Sequence, residues 1–224
     1  MINTIEVFED RKSEIEFYYS VIVDYDTNGS SVINTVDNMK FFRIMKSNFI
    51  LMLYNLVEST ISNGLEEIYE SLKNDGCKYN DVIDKIQILW RDYKIREIYK
   101  PESLLKTYTN RVKEIVDDIT NEIPILLNKN MSGINGNLNA KIIKEICNKH
   151  NIRYRVIDDN QVLDHVRRKR NALAHGDESF SKCARDLNVQ DLEEIKDTII
   201  RFLSAIVTGM EKYCNDKKYL RCNR

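Results

Sequence analysis

Residues 189–214 read VQDLEEIKDTIIRFLSAIVTGMEKYC. Leu192, Ile195, Ile199, Phe202, Ile206 and Met210 recur in steps of three or four, the spacing that lines one face of an α-helix. They form a clean packing seam, and its expected use is in the core of its own bundle, ahead of a two-chain coiled coil.

The same period governs most of the chain. Residues 41–57, FFRIMKSNFILMLYNLV, are apolar nearly all round, which predicts a buried central helix within a longer one over about 36–73. Asp75–Gly76 is the turn that ends it. Phe8, Ile15, Tyr18 and Ile22 mark a helical stripe within residues 3–24, broken by DTNGSS at 26–31. A third helix is expected over about 81–99, with Val82, Ile83, Ile86, Ile88, Leu89 and Trp90. Pro101 suits the first turn of a fourth, and Pro124 interrupts or restarts the pattern. NKNMSGINGNLN, residues 128–139, reads as a loop; a short helix through Ile142, Ile143 and Ile146 and another over 162–175 follow it. Only 7 Gly and 2 Pro punctuate the 224 residues, too few for the turns of an all-β or doubly wound protein. The expected fold is all-α: one helical-bundle domain over 1–224, with a long central and a long C-terminal helix.

Composition narrows the function classes. A net charge of -1 excludes a global polycation, so any nucleic-acid surface must be local. Residues 141–175 hold nine Lys and Arg against four Asp and Glu, and the rest of the chain is left at 25 against 31. The five cysteines, at 77, 147, 183, 214 and 222, lack CxxC spacing and read as free thiols of a reducing cytoplasm. The charged N-terminal stretch lacks the apolar run expected of a signal peptide, and no run reaches the length of a membrane span. A cytoplasmic location and no membrane partner are expected.

The basic stretch contains DHVRRKRNALAHGDESF, residues 164–180. At 100° per residue, Arg170 shares a helical sector with Leu163, Val166, Leu173 and Ala174. An arginine in an apolar stripe must pair with a carboxylate or face an anionic ligand. Asn171 and His175 are four apart, so they stack one turn above the other. His175 ends the helix just before Gly176, the expected left-handed residue, and suits proton transfer near neutral pH. A paired core arginine and a histidine at a helix end would satisfy the same geometry. Glu58, after the most apolar run, is either a buried partner for Arg170 or a carboxylate on an exposed turn. His165 is expected on the solvated side of its helix. His150, in CNKHNIRY, could at best touch RNA backbone. Tyr154 and Tyr213 could stack on bases, with packing their expected use.

RNALAHG, Arg170 to Gly176, resembles the motif of the HEPN-domain ribonucleases, in which an Arg with a polar residue directly after it precedes a His by four to six positions. Residues 163–214, LDHVRRKRNALAHGDESFSKCARDLNVQDLEEIKDTIIRFLSAIVTGMEKYC, resemble the MAE-type HEPN nucleases of prokaryotic defence and toxin–antitoxin loci. LMLYNLVESTISNGLEEIY, residues 51–69, is similar to the same group's central helix. The motif-bearing core would then be about 36–75 and 156–214, with 101–155 an elaboration. The resemblance implies a metal-independent endoribonuclease that works as a homodimer, needs no cofactor and acts as a toxin or phage-defence effector, with a cognate antitoxin or defence-system partner. His175 would be the general acid or base, Arg170 would clamp the phosphate, and Asn171 would orient phosphate or imidazole. Glu58 would aim the arginine, and Arg167, Arg168, Lys169, Arg153 and Arg155 would touch RNA. No carboxylate–histidine cluster at metal spacing is present in the sequence. A HEPN bundle that binds RNA or protein without cutting is the alternative, but a binder has little need of the histidine. A structural factor dimerising through the 189–214 seam is the third reading.

Overall fold

The computed structural model describes residues 1–28, 37–96, 105–128, 136–155 and 160–221. Among these are eight α-helices and no strand: α1 (Ile2–Asn28), α2 (Asn38–Asn74), α3 (Asp84–Arg96), α4 (Leu105–Thr120), α5 (Ala140–His150), α6 (Asn160–His175), α7 (Phe180–Cys183) and α8 (Val189–Asn215). The expected all-α bundle is borne out, including its long central and C-terminal helices.

Helix α2 is the axis. Asp37 caps its start by accepting a hydrogen bond from the Lys40 amide at 3.0 Å. Phe49, Ile50, Leu53, Tyr54, Leu56, Val57, Ile61, Leu65 and Ile68 are all buried, across about half of the helix circumference. It packs against α1, α6, α7 and α8, which explains the lack of a polar face in that stretch. Helix α1 buries the narrow stripe Thr4, Phe8, Ile15 and Ile22. The α8 seam faces the chain's own core: Leu192, Ile199, Phe202, Ile206 and Met210 are buried. A capping box between Asn188 and Asp191 fixes where α8 begins.

Val82 and Ile83 precede α3 instead of lying in it. Their backbone is taken by the C-terminal tail: the Ile83 amide donates to the Tyr219 carbonyl at 2.9 Å, and Val82 bridges Leu220. A chain paired outward in this way cannot also close helical bonds. Pro124 likewise ends up beside Lys78 in an isolated antiparallel bridge. Pro101 and Cys222 lie outside the described residues, as does most of the expected 128–139 loop. No described helix is long and apolar enough to cross a membrane.

The connection from α6 to α8 is held by the start of α2. Ser47 Oγ donates to the Phe180 carbonyl at 2.6 Å and accepts from the Ala184 amide at 3.2 Å. The buried Lys46 ammonium donates to the Arg185 and Leu187 carbonyls. The end of α6 is thereby fixed relative to α2.

Candidate active site

Helix α6 is buried along Leu163 and Val166, but the stripe does not continue as far as its apolar residues suggest. Ala174 and His175 are exposed, because the last turn stands clear of the bundle. Gly176 follows with φ +77, the left-handed conformation a residue with a Cβ rarely adopts. Arg170 sits at the transition, its side chain 27% exposed.

Four groups hold its guanidinium. Glu58 Oε2 lies 3.5 Å from one terminal nitrogen. The other donates to the Gly136 carbonyl at 3.0 Å and to Asn171 Oδ1 at 3.1 Å. The plane lies over the Tyr54 ring, 4.7 Å from guanidinium carbon to centroid. Tyr54 and Glu58 are four apart on α2, so both reach the same point on α6. Of the two roles open to Glu58, the arrangement is that of the arginine's partner. Its Oε1 is buried without a hydrogen-bond partner among the described residues.

Tyr54 also shapes the loop. Its hydroxyl donates to the Gly136 carbonyl and accepts from the Leu138 amide, both at 3.0 Å. Burial, reinforced by the Glu58 charge, pushes the phenol up to about 12, so it keeps the donated proton. Gly136 has φ +71, and a Cβ there would lie 3.6 Å from Glu58 Oε1. Next to it, Asn137 Oδ1 accepts from Asn171 Nδ2 at 2.6 Å. Part of residues 101–155, which the sequence left without a role, thus closes over Arg170 and Asn171.

His175 is not in contact with Arg170. The five-residue offset turns them about 140° apart around α6 and separates them by about 7.5 Å along its axis. Asn171 lies on the His175 side of that turn and hydrogen-bonds back to Arg170, so it joins the inward cluster to the outward edge. His175 is exposed and makes no hydrogen bond among the described residues.

The rest of the basic run is largely engaged. Arg167 donates to Asp164 at 2.7 Å, and Arg168 Nε lies 3.3 Å from the same carboxylate. The Arg167 hydrogen bond holds the Asp164 carboxyl below its ordinary range. Lys169 donates to the Cys183 carbonyl in α7. Arg153 and Arg155 are exposed on the segment after α5, and Arg153 faces Gly209 of α8. Neither of these arginines joins the Arg170 cluster.

Two histidine expectations need correction. His150 is buried, its Nδ1 donating to the Ile146 carbonyl and its Nε2 accepting from the Tyr69 hydroxyl, each at 2.7 Å. Burial lowers its pKa to about 4, so it is a neutral tie between α5 and α2 and is closed to RNA. It looked polar in sequence because its neighbours are polar, but its position aligns with Ile143, Ile146 and Cys147. His165 is half-buried instead of solvated, and burial lowers its pKa too. Tyr213 is buried, and Tyr154 packs edge-on against Phe202, as expected of packing residues.

Tyr54, Gly136 and Asn137 were missed by the sequence reading. Tyr54 is hidden in an apolar run, though its i,i+4 spacing to Glu58 is a usable signal. The two loop residues carry none.

A family profile described as HEPN_MAE_28990-like HEPN matches residues 3–219. No curated protein and no solved structure matches the chain.

Proposed function

The chain belongs to the HEPN_MAE_28990-like HEPN family, and we propose that it is a metal-independent endoribonuclease acting as a homodimer. The HEPN superfamily is one of ribonucleases and RNA-binding domains whose members often dimerise. The observation that carries the proposal is the fixing of Arg170 by Glu58, Tyr54 and Gly136, with Asn171 linking it to the open edge where His175 stands.

RNA brings its own nucleophile. The 2′-oxygen attacks the adjacent phosphorus and gives up its proton. The bond to the 5′-oxygen breaks, and that oxygen takes a proton as it leaves. Arg170, planar and pre-aimed, stabilises charge on the phosphate. His175 serves as general base or general acid. Asn171 orients the phosphate or the imidazole.

One chain offers one His175, turned away from its own Arg170. A second copy across a two-fold axis supplies the second proton-transfer group and brings a histidine to face an arginine. In this reading the enzyme is a cytoplasmic toxin or phage-defence effector, held in check by an antitoxin or defence-system partner. The test is incubation with RNA in excess EDTA, followed by analysis of the ends. The expected products carry a 2′,3′-cyclic phosphate or its 3′-phosphate, and RNA 2′-O-methylated at the scissile position resists. Loss of activity with chelator, or equal cutting of DNA, overturns the mechanism. Tight RNA binding without cleavage supports the binding module instead.

A further inference from the structure

Helices α5 and α6 pack side by side and leave a groove of about 640 Å³ between them. Lys141, Lys144 and Asn148 recur at helical spacing along its α5 wall, opposite the buried Ile146 and His150. Gln161, Asp164 and Arg168 form the α6 wall. Among the described residues, two carboxylates share the groove with three cations: Glu145, and Asp164, which is already paired with Arg167 and Arg168; Lys144 has a partner of its own as well. Arg168 meets Asp164 through Nε alone and is 68% exposed, so its terminal nitrogens remain available to a ligand.

Two features join this groove to the Arg170 site. Asp164, Arg168, Asn171 and His175 fall within about 60° of one another around α6, and Arg168 lies about 10 Å along the axis from His175. The groove wall and the His175 edge are therefore one ridge. The loop that closes over Arg170 and Asn171 also leads directly into Asn139, which caps α5 at the end of the groove. A strand with a phosphate at the motif meets this basic channel as it continues along α6.

We propose that the α5–α6 groove holds the RNA strand flanking the scissile phosphate. Lys141, Lys144 and Arg168 contact its phosphates, and the amides of Asn148 and Gln161 supply neutral donors. The proposal rests on the ribonuclease reading of the adjoining site. It also gives a use to the local basic excess that the motif itself does not consume.

The probe is a short fluorescein-labelled RNA, 2′-O-methylated throughout, titrated with the full chain by fluorescence anisotropy over a range of salt. Each phosphate contact on a single strand contributes about 0.7 to the log–log salt slope. The Lys141→Ala/Lys144→Ala protein should bind about tenfold more weakly and lose about 1.4 from that slope. Lys212→Ala/Lys218→Ala, on the hollow beside Arg153, should change neither and serves as the control for diffuse charge. Circular dichroism checks that both variants keep their helices. Unchanged affinity and slope in the groove variant, while the wild type still cleaves unmodified RNA, overturns the groove alone. An equal loss in the control variant overturns it as well. Groove-dependent binding by a wild type that cuts nothing keeps the groove and removes the cleavage reading. A wild type that does not bind the probe overturns both.

Discussion

Glu58 on α2 and Arg170 on α6 meet at 3.5 Å, each about three-quarters buried, where the motif helix emerges from the bundle. The pair answers the question of how an arginine can sit in an apolar stripe: its charge is matched, its guanidinium is supported by the Tyr54 ring, and its other terminal nitrogen donates to Gly136 and Asn171.

Replacing Glu58 by Gln keeps the shape and removes the charge. Arg170 then retains its carbonyl and ring contacts but loses its electrostatic aim. We expect kcat for RNA cleavage to fall by about ten- to a hundredfold, since small misplacements of a positioning contact cost that much. Stability should change by less than about 1 kcal/mol, because both partners retain solvent access. Unchanged turnover would mean that Glu58 pairs with Arg170 without positioning it.

Tyr54→Phe keeps the ring under the guanidinium and deletes the hydroxyl that ties down the 136–138 backbone. The two lost hydrogen bonds should cost about 1–2 kcal/mol in denaturant unfolding. Amide exchange at Leu138 should accelerate. An unaltered exchange rate there would show that the loop is held by other contacts.

His150 makes stability depend on pH. Its folded pKa is about 4, whereas an unfolded histidine titrates near ~6.5. Between these values the unfolded chain binds the extra proton, so stability is complete above pH ~6.5 and is lost as pH falls toward ~4. The loss approaches about 3 kcal/mol. His150→Gln should be less stable at neutral pH and should lack this increment. Carboxylates held low, such as Asp164 and Asp75, act in a more acidic window. A wild-type curve flat from pH ~6.5 to ~4.5 would contradict the assignment.

The helices were legible because burial imposes a period on the sequence. The α8 seam and the all-round apolar stretch of α2 fixed both type and place. Arg170, Asn171 and His175 stood out through a local motif, whereas Glu58, after an apolar run, was left open between partner of Arg170 and exposed carboxylate until the fold placed it 3.5 Å from that arginine. Gly136 and Asn137 were not, because a loop folds onto a site through tertiary contacts that leave no period. Val82 and Ile83 looked helical because apolar residues in a short run serve helix and extended backbone alike. The buried His150 was obscured by its polar neighbours Asn148 and Lys149, which are exposed.

A cleft shared by two protomers, as proposed, predicts a concentration dependence. Light scattering should give a dimer mass, and specific activity should fall on dilution as the dimer dissociates. A monomer with full specific activity would show that one chain builds the whole site.

The most direct test of the central claim, that the Arg170–His175 motif cleaves RNA, is the single-turnover cleavage rate of purified wild type beside Arg170→Ala and His175→Ala. Loss of one member of a cooperating catalytic set costs several orders of magnitude. Each variant should therefore lose cleavage by about a thousandfold or more, with its helical signal and melting temperature near wild type. Robust cleavage by the purified His175→Ala protein would contradict the account.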